Sequence, residues 1–199
     1  MCGRYQLTTE ENIQEIQEIV SEINRRYMDK PILSQMKLGE IRPTDVVPVI
    51  ANSKSFEPKP FLMQWGFSGF GEKPKPIINA VSETALTKNM FRKPLHERRC
   101  LIPATHFYEW QDTGYRKVKH VIKTVEPVIY MAGMYRFEDQ QPLPKFTILT
   151  RPATDSILHI HNRMPVILPK EYIMEWLSPS ADISALIAAS DERMVYQAI

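Results

Sequence analysis

A chain of 199 residues with 43% hydrophobic and 24% charged side chains is long enough for one sizeable core and excludes the disordered and fibrous classes. Its net charge of +2 excludes a globally basic nucleic-acid binder, so any anion site must be a local cluster. Two cysteines exclude a disulfide scaffold, and no apolar run approaches the ~20 residues of a membrane span. The start MCGRYQLTTEEN lacks the basic and apolar parts of a signal peptide, so a reducing cytoplasm with free thiols is expected.

In chain order, TTEENIQEIQEIVSEINRRYM predicts a helix from about residue 9 to about residue 28. Thr8 and Glu11 stand at capping-box spacing, and Ile13, Ile16, Val20, Ile23 and Tyr27 recur at three and four. Pro31, Pro43, Pro48, Pro58, Pro60, Pro74 and Pro76 then restrict regular structure to short pieces. DVVPVIA and PFLMQWGF predict strands, SETALTKNMF a short helix, and KPLHERR another turn or two. RCLIPATHFYEWQ, KVKHVIKTV, PVIYMAGMYRF and KFTILT are β-branched and aromatic runs between breakers, which predict strands. PKEYIMEWL and ADISALIAA predict helices, the first with Pro169 at its start, and RMVYQAI a last strand. Helices around many short strands with no βαβ rhythm predict an α+β fold, a mostly antiparallel barrel-like β core flanked by helices. No repeat or linker divides residues 1–199, so a single domain is expected.

Five places carry candidate chemistry. Once Met1 is removed, Cys2 places a thiol of pKa about 8.5 beside an α-amine of pKa about 7.7–8.0. Such a pair can condense with an aldehyde to an imine and then close a thiazolidine ring. The thiolate alone can attack an acyl group, and a third reading is a small buried hydrophobe. Glu109 in HFYEW shares a strand face with Phe107 and Gln111. It is either an outward-facing carboxylate or a desolvated one with its pKa raised toward proton transfer. His159 and His161 would share a face of a strand. A metal is disfavoured, because His96, Cys100, His106 and His120 are scattered and supply no third and fourth ligand. An imidazole acid, base or donor is preferred, with Arg163 available to a phosphate. Asn79 in IINAVSET either orients a reacting group or is a turn residue. Trp65, Phe67 and Phe70 in QWGFSGF form either a stacking surface or a core cluster, and Cys100 is expected to be a core thiol.

Taken in order, MCGRY, INAVSET, RRCLIPATHFYEWQ and LTRPATDSILHIHNRMPVIL resemble the SOS response-associated peptidase family, across nearly the whole chain. The resemblance implies a single α+β domain around a barrel-like core that shields abasic sites in single-stranded DNA. It implies loss of Met1 and covalent capture of the ring-opened deoxyribose by Cys2, with Asn79, Glu109 and His161 completing the catalytic set. It further implies that Arg4 and Arg163 grip the DNA backbone, and that Trp65, Gly66 and Phe70 belong to an aromatic loop wedging beside the lesion. Autopeptidase activity, a place in the DNA damage (SOS) response, and a cytoplasmic, nucleoid-associated location are implied as well, with no cofactor, metal or membrane. Two departures stand out: Val81 replaces the family's Arg after Asn-Ala, and WGFSGF replaces the usual W-G-L-I-P-x-W loop. Two alternatives accompany this reading, a noncovalent single-stranded-DNA damage-binding module and a cysteine peptidase acting on proteins.

Overall fold

The computed structural model describes residues 2–10, 13–191 and 193–199. After the strand β1 (Arg4–Leu7) comes the helix α1 (Gln14–Tyr27), whose Ile16, Val20 and Ile23 are buried. Each such aliphatic side chain contributes about 1.5–3 kcal/mol on burial, which holds the helix down. The helix starts later than its capping-box spacing predicts. Ile13 takes the N-cap with no side-chain bond, and Glu11 lies outside the described residues.

The proline-rich stretch forms β2 (Gly39–Ile41), β3 (Val46–Asn52), β4 (Pro58–Trp65) and β5 (Asn79–Val81). The single helix expected over SETALTKNMF is two, α2 (Ser82–Ala85) and α3 (Asn89–Glu97). The Thr84 carbonyl accepts from the backbone N–H of both Thr87 and Lys88, and Lys88 is extended, which breaks the run. The long RCLIPATHFYEWQ run is likewise two strands, β6 (Arg99–Ala104) and β7 (His106–Asp112), separated where the Thr105 N–H turns to the Gln6 carbonyl. There follow β8 (Lys117–Lys123), β9 (Ile129–Arg136), β10 (Lys145–Pro152), β11 (Arg163–Pro165), β12 (Ile167–Leu168), α4 (Ile173–Leu177), α5 (Ile183–Ala188) and β13 (Val195–Ala198).

One sheet runs β13-β8-β7-β1-β2, and all of its pairs are antiparallel. The other runs β11-β10-β4-β3-β6-β9-β12, with β5 added against β10. Because β10 also pairs with β9, the strands β10, β4, β3, β6 and β9 close into a barrel-like ring. Among the described residues the β10–β4 and β10–β5 strand pairings are parallel, as is an isolated bridge between Met36 and Val46. This is the α+β architecture expected from the pattern of runs. The core between the sheets holds Trp65 stacked on Phe146 at 6.3 Å and tilted against Tyr5 at 5.3 Å. The buried Arg99 donates to the carbonyls of Leu95, His96, Trp176 and Ser178, so one guanidinium satisfies carbonyls at the ends of α3 and α4. No helix among the described residues is long and apolar enough to cross a membrane.

Candidate functional site

Four separate segments converge near the start of the chain. β1 lies between β2 and β7, and the register Arg4↔Tyr108 carries the preceding residues alongside Glu109 and Trp110. Cys2 is fully buried there, and its thiol contacts the Arg4 carbonyl at 3.6 Å. β5 is fixed by its parallel pairing Asn79↔Ile148, and from it Asn79 Nδ2 donates to the Cys2 carbonyl at 2.9 Å. Asn79 Oδ1 is a buried acceptor with no partner among the described residues.

Glu109 is 4% exposed, which settles the choice its sequence left open in favour of the inward-facing carboxylate. Period-two alternation puts it on the face of β7 shared with the buried Phe107. Burial raises its pKa above the ordinary carboxylate value, and the nearby His161 pulls it back in part. Burial also pushes the Cys2 thiol well up, and the charge of Glu109 pushes it further. The resting pair is therefore a neutral thiol beside a carboxyl of increased proton affinity.

His161 does not share a strand face with His159. Residues 155–160 form turns, closed by the Leu158 N–H to the Thr154 carbonyl and the His161 N–H to the Ile157 carbonyl. His159 packs its ring on Tyr196 at 5.0 Å, whereas His161 Nδ1 accepts the Arg163 N–H at 2.9 Å. Nδ1 also lies 3.2 Å from the Arg163 carbonyl, so the Arg163 backbone engages this edge of the ring in either tautomer. Among the described residues no three His, Cys, Asp or Glu side chains form a metal-ligating group.

The residues singled out for DNA contact divide. Trp65 is fully buried and donates Nε1–H to the Ile78 carbonyl, so it is a core residue and not an exposed wedge. Gly66 is buried as well. Its φ of +108°, and the 2.7 Å that a Cβ would leave to Pro76 Cβ, explain why glycine stands there. Phe70 is 77% exposed and projects from the loop. The base of that loop is anchored by Glu138: against desolvation, donors from Ser68, Arg136 and Lys145 hold its carboxyl down to about 2.

Arg4 pairs with Glu40 at 2.9 Å and lies 5.2 Å over the Trp110 ring. Arg42 and Lys119 converge on the same Glu40, so three cations meet one carboxylate and the cluster keeps an excess of positive charge. Arg163 is committed differently. It forms a two-point ion pair with Glu83 and donates to the Thr150 carbonyl. Glu83, held by Arg163, is lowered to about 2. Sequence reasoning missed Glu40 and Glu83 as partners of these arginines. Glu83 had a signal, its place in INAVSET four residues after Asn79, and Glu40 had none. Cys100 sits buried in β6, its thiol raised by desolvation.

The SOS response associated peptidase (SRAP) family profile matches residues 1–198. The chain is 34% identical over 194 residues to the abasic site processing protein YoqW of Bacillus subtilis (strain 168), covering 90% of this chain and 81% of that protein. It is 36% identical over 126 residues to the abasic site processing protein YoaM of the same organism, and there the match spans only 59% of this chain and 56% of the relative. Among solved structures, a protein from Bacteroides thetaiotaomicron superposes with a TM-score of 0.76 over 100% of this chain and 92% of its own, at 22% identity, a likeness of fold.

Proposed function

Since the chain belongs to the SOS response associated peptidase (SRAP) family, we propose that it processes abasic sites in single-stranded DNA by forming a thiazolidine crosslink through Cys2. The observation that carries this reading is the junction of Cys2, Asn79, Glu109 and His161 from four segments distant in sequence. The names of YoqW and YoaM supply the substrate class.

The reaction begins when Met1, which lies outside the described residues, has been removed. The Cys2 amine adds to the aldehyde carbon of the opened sugar, and the carbinolamine loses one water to give an imine. The thiol then adds across the C=N bond: sulfur bonds to carbon and the thiol proton ends on nitrogen, closing the ring. Because the Cys2 thiol is raised, it reacts by handing its proton to a base as sulfur attacks, and the raised Glu109 carboxylate is suited to that role. His161 takes up the proton that the attacking amine gives up and returns it to the departing hydroxyl, which leaves as water. Asn79 fixes the Cys2 carbonyl through Nδ2 and offers Oδ1 to the amine or a sugar hydroxyl. The excess charge around Glu40, including Arg4, receives flanking phosphates. The same acid–base pair serves hydrolytic removal of the residue before Cys2.

A second reading has one observation in its favour: Cys2 is fully buried, as a noncovalent binding module would allow. Intact mass spectrometry of Met-processed protein mixed with an abasic oligonucleotide separates the two. The expected product has the mass of protein plus DNA minus one water, maps to Cys2, and is absent from Cys2→Ala. A heat-stable adduct in Cys2→Ala, or none from protein whose N-terminus is confirmed as Cys2, overturns the crosslinking mechanism.

A further inference from the structure

Away from β1, β5 and β7, which carry Cys2, Asn79 and Glu109, a groove of about 870 Å³ opens to solvent. It is formed by the last turns of α1, the strands β3 and β4, the end of β9 and residues 142–144. Its apolar lining includes Ile32, Leu62, Met63, Pro142, Leu143 and Pro144. The charged residues of the lining are all cations: Arg26, Lys30, Lys54 and Lys59. Arg26 is paired with Glu22 and Lys59 with Glu57, both carboxylates lying outside the lining. Lys30 and Lys54 are exposed and have no ion pair among the described residues.

The four aromatic rings of the lining already have partners. Arg26 covers Phe61 at 4.6 Å and Lys30 lies over Tyr27 at 5.2 Å. Tyr135 and Phe137 pack edge to face at 6.0 Å, and Arg98 lies 5.8 Å from the Phe137 ring. A nucleic acid strand reads such a surface by stacking bases on open ring faces. Here cations already lie over Tyr27, Phe61 and one side of the exposed Phe137, and Tyr135 meets Phe137, so what remains is chiefly an aliphatic trough with a positive rim. That combination suits large apolar side chains flanked by carboxylates. We propose that this groove is a docking site for a short acidic segment of a partner protein carrying one or two large apolar side chains between its carboxylates. Hydrophobic burial would supply affinity, and the rim would set orientation and association rate. The proposal does not depend on the crosslinking chemistry.

The test is selection of short random peptides by the full chain, with counter-selection on the Lys30→Glu/Lys54→Glu double variant. Both lysines are exposed, so the double variant is expected to keep the wild-type circular dichroism and melting temperature. The expected result is a consensus of Asp or Glu around Leu, Ile, Phe or Trp. By fluorescence anisotropy, binding of the labelled consensus peptide should weaken at least about tenfold in the double variant, and likewise in Leu143→Asp, and should fall with added salt. No enrichment over the counter-selection overturns the proposal. So does a consensus without acidic residues, or affinity unchanged in both variants. Displacement of the peptide by oligothymidylate would assign the groove to nucleic acid instead and equally overturn it.

Discussion

Replacing Asn79 by Ala removes one hydrogen bond, from Nδ2 to the Cys2 carbonyl at 2.9 Å. The carbonyl belongs to a fully buried residue, so water cannot readily take the donor's place. Leaving a buried acceptor unsatisfied costs about 1–3 kcal/mol. If that loss falls on the transition state, the rate drops roughly 5- to 160-fold. If it falls on the folded ground state, the melting temperature drops by about 2–4 °C per kcal/mol. The assay is the single-turnover rate of adduct formation between an abasic oligonucleotide and Met-processed Asn79→Ala, with thermal unfolding followed in parallel. The expected outcome is a slower approach to the same adduct, because the bonding atoms of Cys2 remain. A rate within about twofold of wild type, with a lowered melting temperature, would reduce Asn79 to a structural tie and refute its positioning role.

Glu109→Gln should slow adduct formation by about two to four orders of magnitude. The rate should fall as pH drops in both proteins, as the Cys2 amine is protonated; since the carboxyl is raised, the wild-type profile should carry a second fall at a value above the ordinary carboxylate range, and the Glu109→Gln profile should lack that second step. Glu83 is lowered to about 2, so its ion pair with Arg163 stabilises the fold above the unfolded carboxylate pKa and is lost as pH falls toward 2. Glu83 is 47% exposed, so the effect is screened to about 1 kcal/mol or less; thermal unfolding between those pH values should be less pH-dependent in Glu83→Gln. Phe70→Ala should leave the melting temperature unchanged and, if the ring stacks on a base, weaken single-stranded DNA binding by about 1–3 kcal/mol in a titration at fixed salt.

Much of this molecule is local in origin and therefore legible in the chain itself. The three-and-four spacing of Ile16, Val20 and Ile23 specifies the buried face of α1, and the β-branched and aromatic runs specify β3, β4 and β6 to β10. The strands β1, β2, β5, β11 and β12 are two to four residues long and exist because a neighbouring strand offers hydrogen-bonding groups, which no local pattern announces. The same limit explains the histidines. His159 and His161 look paired by spacing, yet the turns at 155–160 send one to Tyr196 and the other to the Arg163 backbone.

The residue types at the site, and the blocks that mark its family, are properties of the chain. Their mutual placement is not. Whether Glu109 faced solvent or the interior depended on which side of β7 the second sheet covers, and burial on that side raised its proton affinity. Whether Trp65 was a wedge or a core ring depended on Tyr5 and Phe146 closing over it, which leaves Phe70 as the exposed aromatic of that loop. Arg4 and Arg163 are both cations in a sequence. Only the fold gave one an electropositive cluster around a shared Glu40 and the other a carboxylate of its own. Composition and periodicity act over a few residues, whereas desolvation and ion pairing depend on what long-range packing brings within a few ångströms.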